Sequence, residues 1–322
     1  MISVKNLTKI YKIHQRQANF FRDIFFRKYK QTVALDQVSF EIGENELVGF
    51  IGPNGAGKTT ILKILSGILY PTSGQVGVLG FTPFEKNAGF LKQIAFVMGS
   101  RNQLIWELPA SDSFEFNKTV YELSDSDYKK TVGELADILN CQKLISRPVK
   151  TLSLGERMKM ELIAALLHQP RLIFFDEPTI GLDIFSQEAI REFIKKFQQK
   201  YGSTIILTSH YLEDVKRLAK RLIVINQGKI LYDGLLKKII DQYSRVKFIT
   251  LTLEKKISNE VVGQIGLPLV NLYPKVVWKI DRKLLPEKLA FINENIPYSD
   301  LSVEEERIEE IIKTLFKKKI GR

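Results

Sequence analysis

One loop constrains this chain more than any other feature: Gly52-Pro53-Asn54-Gly55-Ala56-Gly57-Lys58-Thr59-Thr60. It follows the apolar run Leu47–Ile51 and precedes Ile61-Leu62-Lys63-Ile64-Leu65. Strand, glycine-rich turn and helix in that order are the setting of a phosphate-binding P-loop. The glycines let the backbone wrap closely, so successive N–H groups can face phosphate oxygens. The following helix offers its positive dipole end to the same anion. Lys58 adds a full charge near the β/γ-phosphates, and Thr59 offers a hydroxyl to Mg²⁺.

A second motif lies downstream. Leu172-Ile173-Phe174-Phe175-Asp176-Glu177 is a short apolar run ending in two acids. It reads as a strand buried on both faces of a parallel sheet. Acids at its C-terminal end would lie at the sheet edge where open α/β folds bind ligands. Asp176 is then placed for a metal shell and Glu177 for an attacking water. A purely structural role is the weaker reading, because a buried carboxylate without a cation is costly.

Between the two motifs sits Leu152-Ser153-Leu154-Gly155-Glu156, which opens a long helix candidate running to Leu167. Here the chain resembles the nucleotide-binding subunit of an ABC transporter. Leu152–Glu156 resembles the family signature LSGGQ, and Glu177–Asp183 looks like the segment leading to the D-loop. Thr204–His210 resembles the strand that delivers the switch histidine, and Tyr11 matches the aromatic that stacks on adenine. These motifs stand in family order over roughly residues 2–235. Two signature positions depart from the pattern. Leu154 replaces a glycine and Glu156 a glutamine, so phosphate contact is expected through Ser153 and backbone amides, Gly155 included, with Glu156 turned away or paired with a base. The Q-loop glutamine position aligns best with Ser100, and Gln103 lies three residues later; the metal shell is expected to use Gln103, or else Ser100 and water.

The resemblance implies an α/β fold: a P-loop NTPase domain of the ABC type, with a parallel core sheet, an antiparallel β subdomain and a helical subdomain over about 100–165. It places this domain at 1–235 and a small α+β C-terminal domain at 236–322. ATP and Mg²⁺ are the implied ligands, with Thr59, Asp176 and Gln103 on the metal. Glu177 would activate water, His210 would stabilise the γ-phosphate, and Asp183 would mark the D-loop. A second copy of the chain, or a paralogue, would complete each ATP site through its own signature segment. Separate membrane permease subunits would carry the cargo, with this chain at the cytoplasmic face of the cell membrane. Asp300–Glu305 followed by an amphipathic helix resembles the C-terminal additions of ABC-2-type exporters. The alternative is a soluble ABC ATPase that remodels ribosomes or nucleic acid; those usually carry two nucleotide domains or a long coiled coil, and this chain has neither.

No apolar stretch reaches the ~18–20 residues that span a bilayer, so the membrane-spanning part is expected on another polypeptide. One cysteine, Cys141, excludes an intrachain disulfide and reads as a small buried hydrophobe. The net charge of +12 allows an anionic partner, but no nucleic-acid-binding motif accompanies it and none is expected. His14–Lys30 interleaves basic and aromatic residues, and Phe21, Ile24, Phe25 and Lys28 share one face if helical. That suits a membrane interface, a groove on a partner, or packing on its own domain. Near the C-terminus, Ser302 and Glu305 have capping-box spacing ahead of Ile308, Ile311, Ile312, Leu315 and Phe316, which predicts a helix. His14 and His168 are read as an exposed residue and a helix-end residue, neither catalytic.

Overall fold

A computed structural model describes residues 1–15, 28–99, 102–209, 212–243, 246–306 and 310–313. It contains two compact units, Met1–Gly234 and Leu235–Arg322.

The first unit is organised by a six-stranded sheet of order β5-β6-β7-β3-β8-β9, formed by β5 Ile94–Met98, β6 Leu172–Asp176, β7 Thr204–Thr208, β3 Leu47–Ile51, β8 Arg221–Asn226 and β9 Lys229–Leu235. The apolar runs of β3, β6 and β7 are buried almost throughout, as parallel strands covered on both faces must be. The parallel register sets Met98 and Thr208 on either side of Asp176, and Phe50 beside Thr208. The C-terminal ends of β3, β6 and β7 therefore share one edge. Gln227 and Gly228, both at positive φ, make the tight turn between β8 and β9.

A three-stranded antiparallel sheet, β2-β1-β4, comes from β1 Ile2–Gln15, β2 Lys28–Ile42 and β4 Ser73–Val78. Val4, Leu35 and Phe40 join Phe50, Ile61 and Phe174 in one core. Phe40 meets Phe50 edge-on at 5.4 Å. β1 and β2 extend into the His14–Lys30 stretch: His14 pairs with Tyr29 and Gln15 with Lys28. Lys28 thus belongs to a strand, correcting its place on a helical face; Phe21, Ile24 and Phe25 lie outside the described residues.

Helices Ala110–Val120, Asp125–Leu139 and Leu154–Leu166 build the helical part. Ser124 caps the second by accepting from Asp127 N, and Thr131, Leu135, Ala136 and Leu139 form its buried face. Cys141 is buried, and burial pushes its thiol up to about 11.

The second unit folds β10 Val246–Leu253, helix Asn259–Ile265, β11 Pro268–Leu272, β12 Lys275–Asp281, helix Leu285–Asn295 and β13 Tyr298–Glu305, with sheet order β11-β12-β10-β13. Ile249, Leu251, Trp278, Val262 and Ile292 fill its core, and the Trp278 indole N–H donates to Val262 O. Here the capping-box expectation fails. Ser302 and Glu305 are strand residues paired with Thr250 and Lys247. The alternation of Leu301 and Val303 with polar neighbours, satisfied by the ladder to β10, outweighs the local cap signal. Residues 310–313 are helical with Ile311 and Ile312 buried; Ile308, Leu315 and Phe316 lie outside the described residues.

His168, just past the helix Leu154–Leu166, stacks on Tyr121 with ring centroids 3.7 Å apart. Its Nε2 bonds Ile94 O at 3.0 Å and its buried Nδ1 has no hydrogen-bond partner. Burial depresses its pKa to about 4, against a weaker opposing effect from the Ile94 carbonyl. The unfolded chain therefore binds the proton first. Stability falls as pH drops from the ordinary histidine value of ~6.5 towards about 4, by on the order of 1–3 kcal/mol from this group. Urea denaturation at pH 7 and pH 5 should show a smaller pH effect for His168→Leu than for the wild type. An equal effect in both would remove His168 as the cause.

Candidate active site

The Gly52–Thr60 loop leaves β3 and ends in helix Lys58–Leu65. A Cβ at Gly52 would sit 2.2 Å from the Ile225 carbonyl oxygen, so the loop must pass β8 with no side chain there. Gly57, at φ 109°, precedes the helix in a left-handed conformation and provides no side-chain cap; the first helical N–H groups are left facing outward for an anion. Lys58 is 5% exposed and donates to Gly52 O at 2.6 Å and Pro53 O at 3.2 Å. Burial lowers its pKa, while the charges of Glu177 and Asp176 oppose the shift. A cation held this way is posed for a negatively charged ligand.

The loop walls a cavity of about 430 Å³ together with Tyr11, Val33 and Glu177. Its loop side comprises Asn54, Gly55, Ala56, Gly57, Lys58, Thr59 and Thr60. Tyr11 is half-buried on β1 opposite Thr32. Lys9 approaches its ring to 5.3 Å. An aromatic at one end and a cationic helix start at the other fit a nucleoside polyphosphate.

Asp176 ends β6, and its Oδ1 accepts from Thr59 Oγ1 at 3.1 Å and Thr208 Oγ1 at 2.6 Å. Thr59 and Asp176, predicted from separate motifs, are thus in contact. A hydroxyl and a single carboxylate are the hard oxygen donors that Mg²⁺ uses when phosphate oxygens and water complete its shell. Among the described residues no cluster of three His, Cys, Asp or Glu groups offers an all-protein metal cage. Glu177 follows at φ 54°, a costly conformation for a residue with a side chain. Thr208 pins it there: Glu177 N donates to Thr208 O at 3.0 Å and to Thr208 Oγ1 at 3.2 Å. The strain turns the chain so that Glu177 reaches the cavity wall.

Ser153 caps helix Leu154–Leu166. Its Oγ accepts from Glu156 N, and Glu156 Oε2 accepts from Ser153 N at 2.8 Å. The Ser153 amide holds the Glu156 carboxyl below its ordinary range, and Arg147 stands 3.8 Å away. Asp183 caps helix Ile184–Tyr201 through Ser186 N. A Cβ at Gly155 would lie 2.2 Å from Ser186 Oγ, so Gly155 lets the signature helix and the Asp183 turn abut. Ser153, Gly155, Glu156 and Asp183 are not walls of the Lys58 cavity.

The structure does not bring Gln103 to Asp176. The Gln103 amide donates to Phe96 O at 2.8 Å, and the residue lines a different, mainly apolar cavity of about 510 Å³ with Leu91, Phe96, Val120 and Tyr121. In this structure the Gln103 side chain is engaged on β5. Ser100 and His210 lie outside the described residues. Asp214 was not foreseen. It is fully buried and accepts from Arg191 Nε at 2.7 Å, Thr179 Oγ1 at 2.5 Å and Ser209 Oγ at 2.8 Å. It thereby ties together the turns after β6 and β7; only an acid four residues beyond His210 hinted at it.

The ABC transporter family profile matches residues 35–180. The chain is 33% identical over 217 residues to the ABC transporter ATP-binding protein NatA of Bacillus subtilis, covering 67% of this chain and 88% of NatA. The chain belongs to the ABC transporter family of ATP-binding proteins. It is 32% identical over 216 residues to the Nod factor export ATP-binding protein I of Sinorhizobium fredii, covering 67% of this chain and 62% of that one. The dimeric post-hydrolysis structure of the ATP-binding cassette MJ0796, bound to ADP and Pi, superposes with a TM-score of 0.61 at 25% identity, over 73% of this chain and 99% of that one. The first unit is accordingly an ABC-type P-loop ATPase.

Proposed function

We propose that this chain hydrolyses ATP as one half of a closing pair, and that closure drives export through a separate ABC-2-type permease. The observation that carries the reading is the convergence on one cavity of a buried lysine, an open helix start and Glu177, with Asp176 bonded to Thr59 in its wall. Tyr11 stacks on the adenine. Lys58 and the amides of Gly52–Thr60 neutralise phosphate charge. Thr59 and Asp176 would hold Mg²⁺, which would supply positive charge to offset that of the phosphates. Glu177 orients and deprotonates the attacking water, and His210 contacts the γ-phosphate. Ser153 and Gly155 of a second copy, or of a paralogue, cover that phosphate, with Asp183 positioning the turn beside them. The dimeric MJ0796 cassette supports this pairing. A phosphate held from both sides makes a closed state that hydrolysis releases.

A permease contact is supported by exposed apolar residues on the helical part: Ile105, Trp106, Leu108 and Phe116 are 40–63% exposed. No helix among the described residues is long and apolar enough to cross a membrane, so the proposal places the chain on the cytoplasmic face of the cell membrane through that partner. The Nod factor export relative supports the direction of transport. The test is purification of tagged Glu177→Gln from native membranes in gentle detergent with ATP and Mg²⁺. A polytopic membrane protein in near-equal amount is the expected result. Recovery of only ribosomal or other soluble partners would overturn it in favour of remodelling.

A further inference from the structure

Glu161 lies inside the signature helix Leu154–Leu166 and is 3% exposed. An ionisable group in a helix core is expensive to keep, and the phosphate chemistry above does not use it. Its carboxylate is spent on backbone: Gln103 N donates to its two oxygens at 2.9 and 3.1 Å, and Leu104 N at 3.4 Å. Burial pushes its pKa up, partly offset by those two amides and by the Arg157 charge. On the other side of the same residue, the Gln103 side chain donates to Phe96 O on β5 at 2.8 Å. A continuous path therefore runs from the central sheet through Gln103 to Glu161 and along two helical turns to Ser153.

The path has a second attachment. Val149 N donates to Leu108 O and Lys150 N to Trp106 O, both at 3.0 Å. The Arg157 guanidinium lies 5.5 Å from the centre of the Trp106 ring. The segment 103–108 is thus fastened along its length to the residues that precede and open the signature helix.

We propose that Gln103 and Glu161 form a two-part clamp that sets the signature helix against the nucleotide-binding sheet, with Gln103 acting as a link in that clamp and not as a metal ligand. The inference rests on the reading that Ser153 serves the nucleotide of a second copy. Glu161 is a positioning residue. A small displacement of the signature helix costs turnover but leaves the chain's own nucleotide cavity, with Tyr11 and Lys58, intact.

The test compares Glu161→Ala, Gln103→Ala and the double variant in the full-length chain. The readouts are kcat, the Mg²⁺ concentration for half-maximal rate, the ADP dissociation constant and thermal unfolding. Each single substitution should lower kcat about tenfold, with ADP affinity and Mg²⁺ requirement within about twofold of wild type. The double variant should be no worse than the more severe single, because both cut one path. Glu161→Gln keeps the volume and one acceptor oxygen, and should fold and give an intermediate loss even if Glu161→Ala does not fold. Wild-type kcat in Glu161→Gln, or losses that multiply in the double variant, would overturn the clamp. A raised Mg²⁺ requirement in Gln103→Ala would return Gln103 to the metal shell and also overturn it. In the same preparation, Glu177→Gln must trap an ATP-bound pair. If no pair forms, the underlying reading falls; if a pair forms and Glu161→Gln still turns over normally, only the clamp does.

Discussion

Glu177→Gln should bind ATP as the wild type does and hydrolyse it roughly 10²–10⁴ times more slowly, the span expected for loss of a positioned general base. The substitution keeps the size of the side chain and removes its capacity to take a proton. It leaves the left-handed turn at φ 54° and the two backbone bonds to Thr208 untouched, so the cavity should keep its shape. Lys58 loses the opposing influence of the Glu177 charge but retains that of Asp176. Single-turnover hydrolysis and ADP affinity, measured on the same preparation, separate the two effects. Hydrolysis within a few-fold of wild type would remove Glu177 from its assigned role.

Lys58→Ala should act on the other quantity. The ammonium is almost wholly buried and bonded to two loop carbonyls, so it is posed before the nucleotide arrives. Removing one partner of a buried, hydrogen-bonded charge pair costs about 2–4 kcal/mol, or roughly 30- to 1,000-fold in the dissociation constant. Losing the contacts to Gly52 O and Pro53 O also loosens the loop. Titration with a fluorescent ATP analogue should show the weakened affinity, and an unchanged far-ultraviolet spectrum would show that the fold persists. Unaltered affinity would mean that the Gly52–Thr60 loop is not the phosphate cradle.

The phosphate loop and the Asp176–Glu177 strand end were legible because their constraints are local. A left-handed glycine before a helix start, a lysine at that start and an apolar run ending in acids leave their marks within a few residues. The contact between Thr59 and Asp176 was implied by motif order, although 117 positions separate them. What could not be read is the set of polar links made by tertiary packing. Glu161 finds the Gln103 amide 58 positions away, and Asp214 finds Arg191 and Thr179 at 23 and 35. No hydrophobic period marks either acid. Gln103 was drawn to the metal by its residue type, whereas the fold turns its amide to Phe96. The segment ending at Glu305 was misread for a different reason. Ser302 and Glu305 fit a helix cap and an alternating strand equally well, and pairing with β10 decides between them.

In the proposed closing pair, ATP joins two copies of this chain. The most direct measurement is the mass of full-length Glu177→Gln by light scattering, without nucleotide, with ADP, and with saturating ATP and Mg²⁺. The expected result is a shift towards twice the chain mass only with ATP and Mg²⁺, abolished when Lys58→Ala is added. A mass that does not respond to saturating ATP, in protein shown to bind it, would contradict the closing pair.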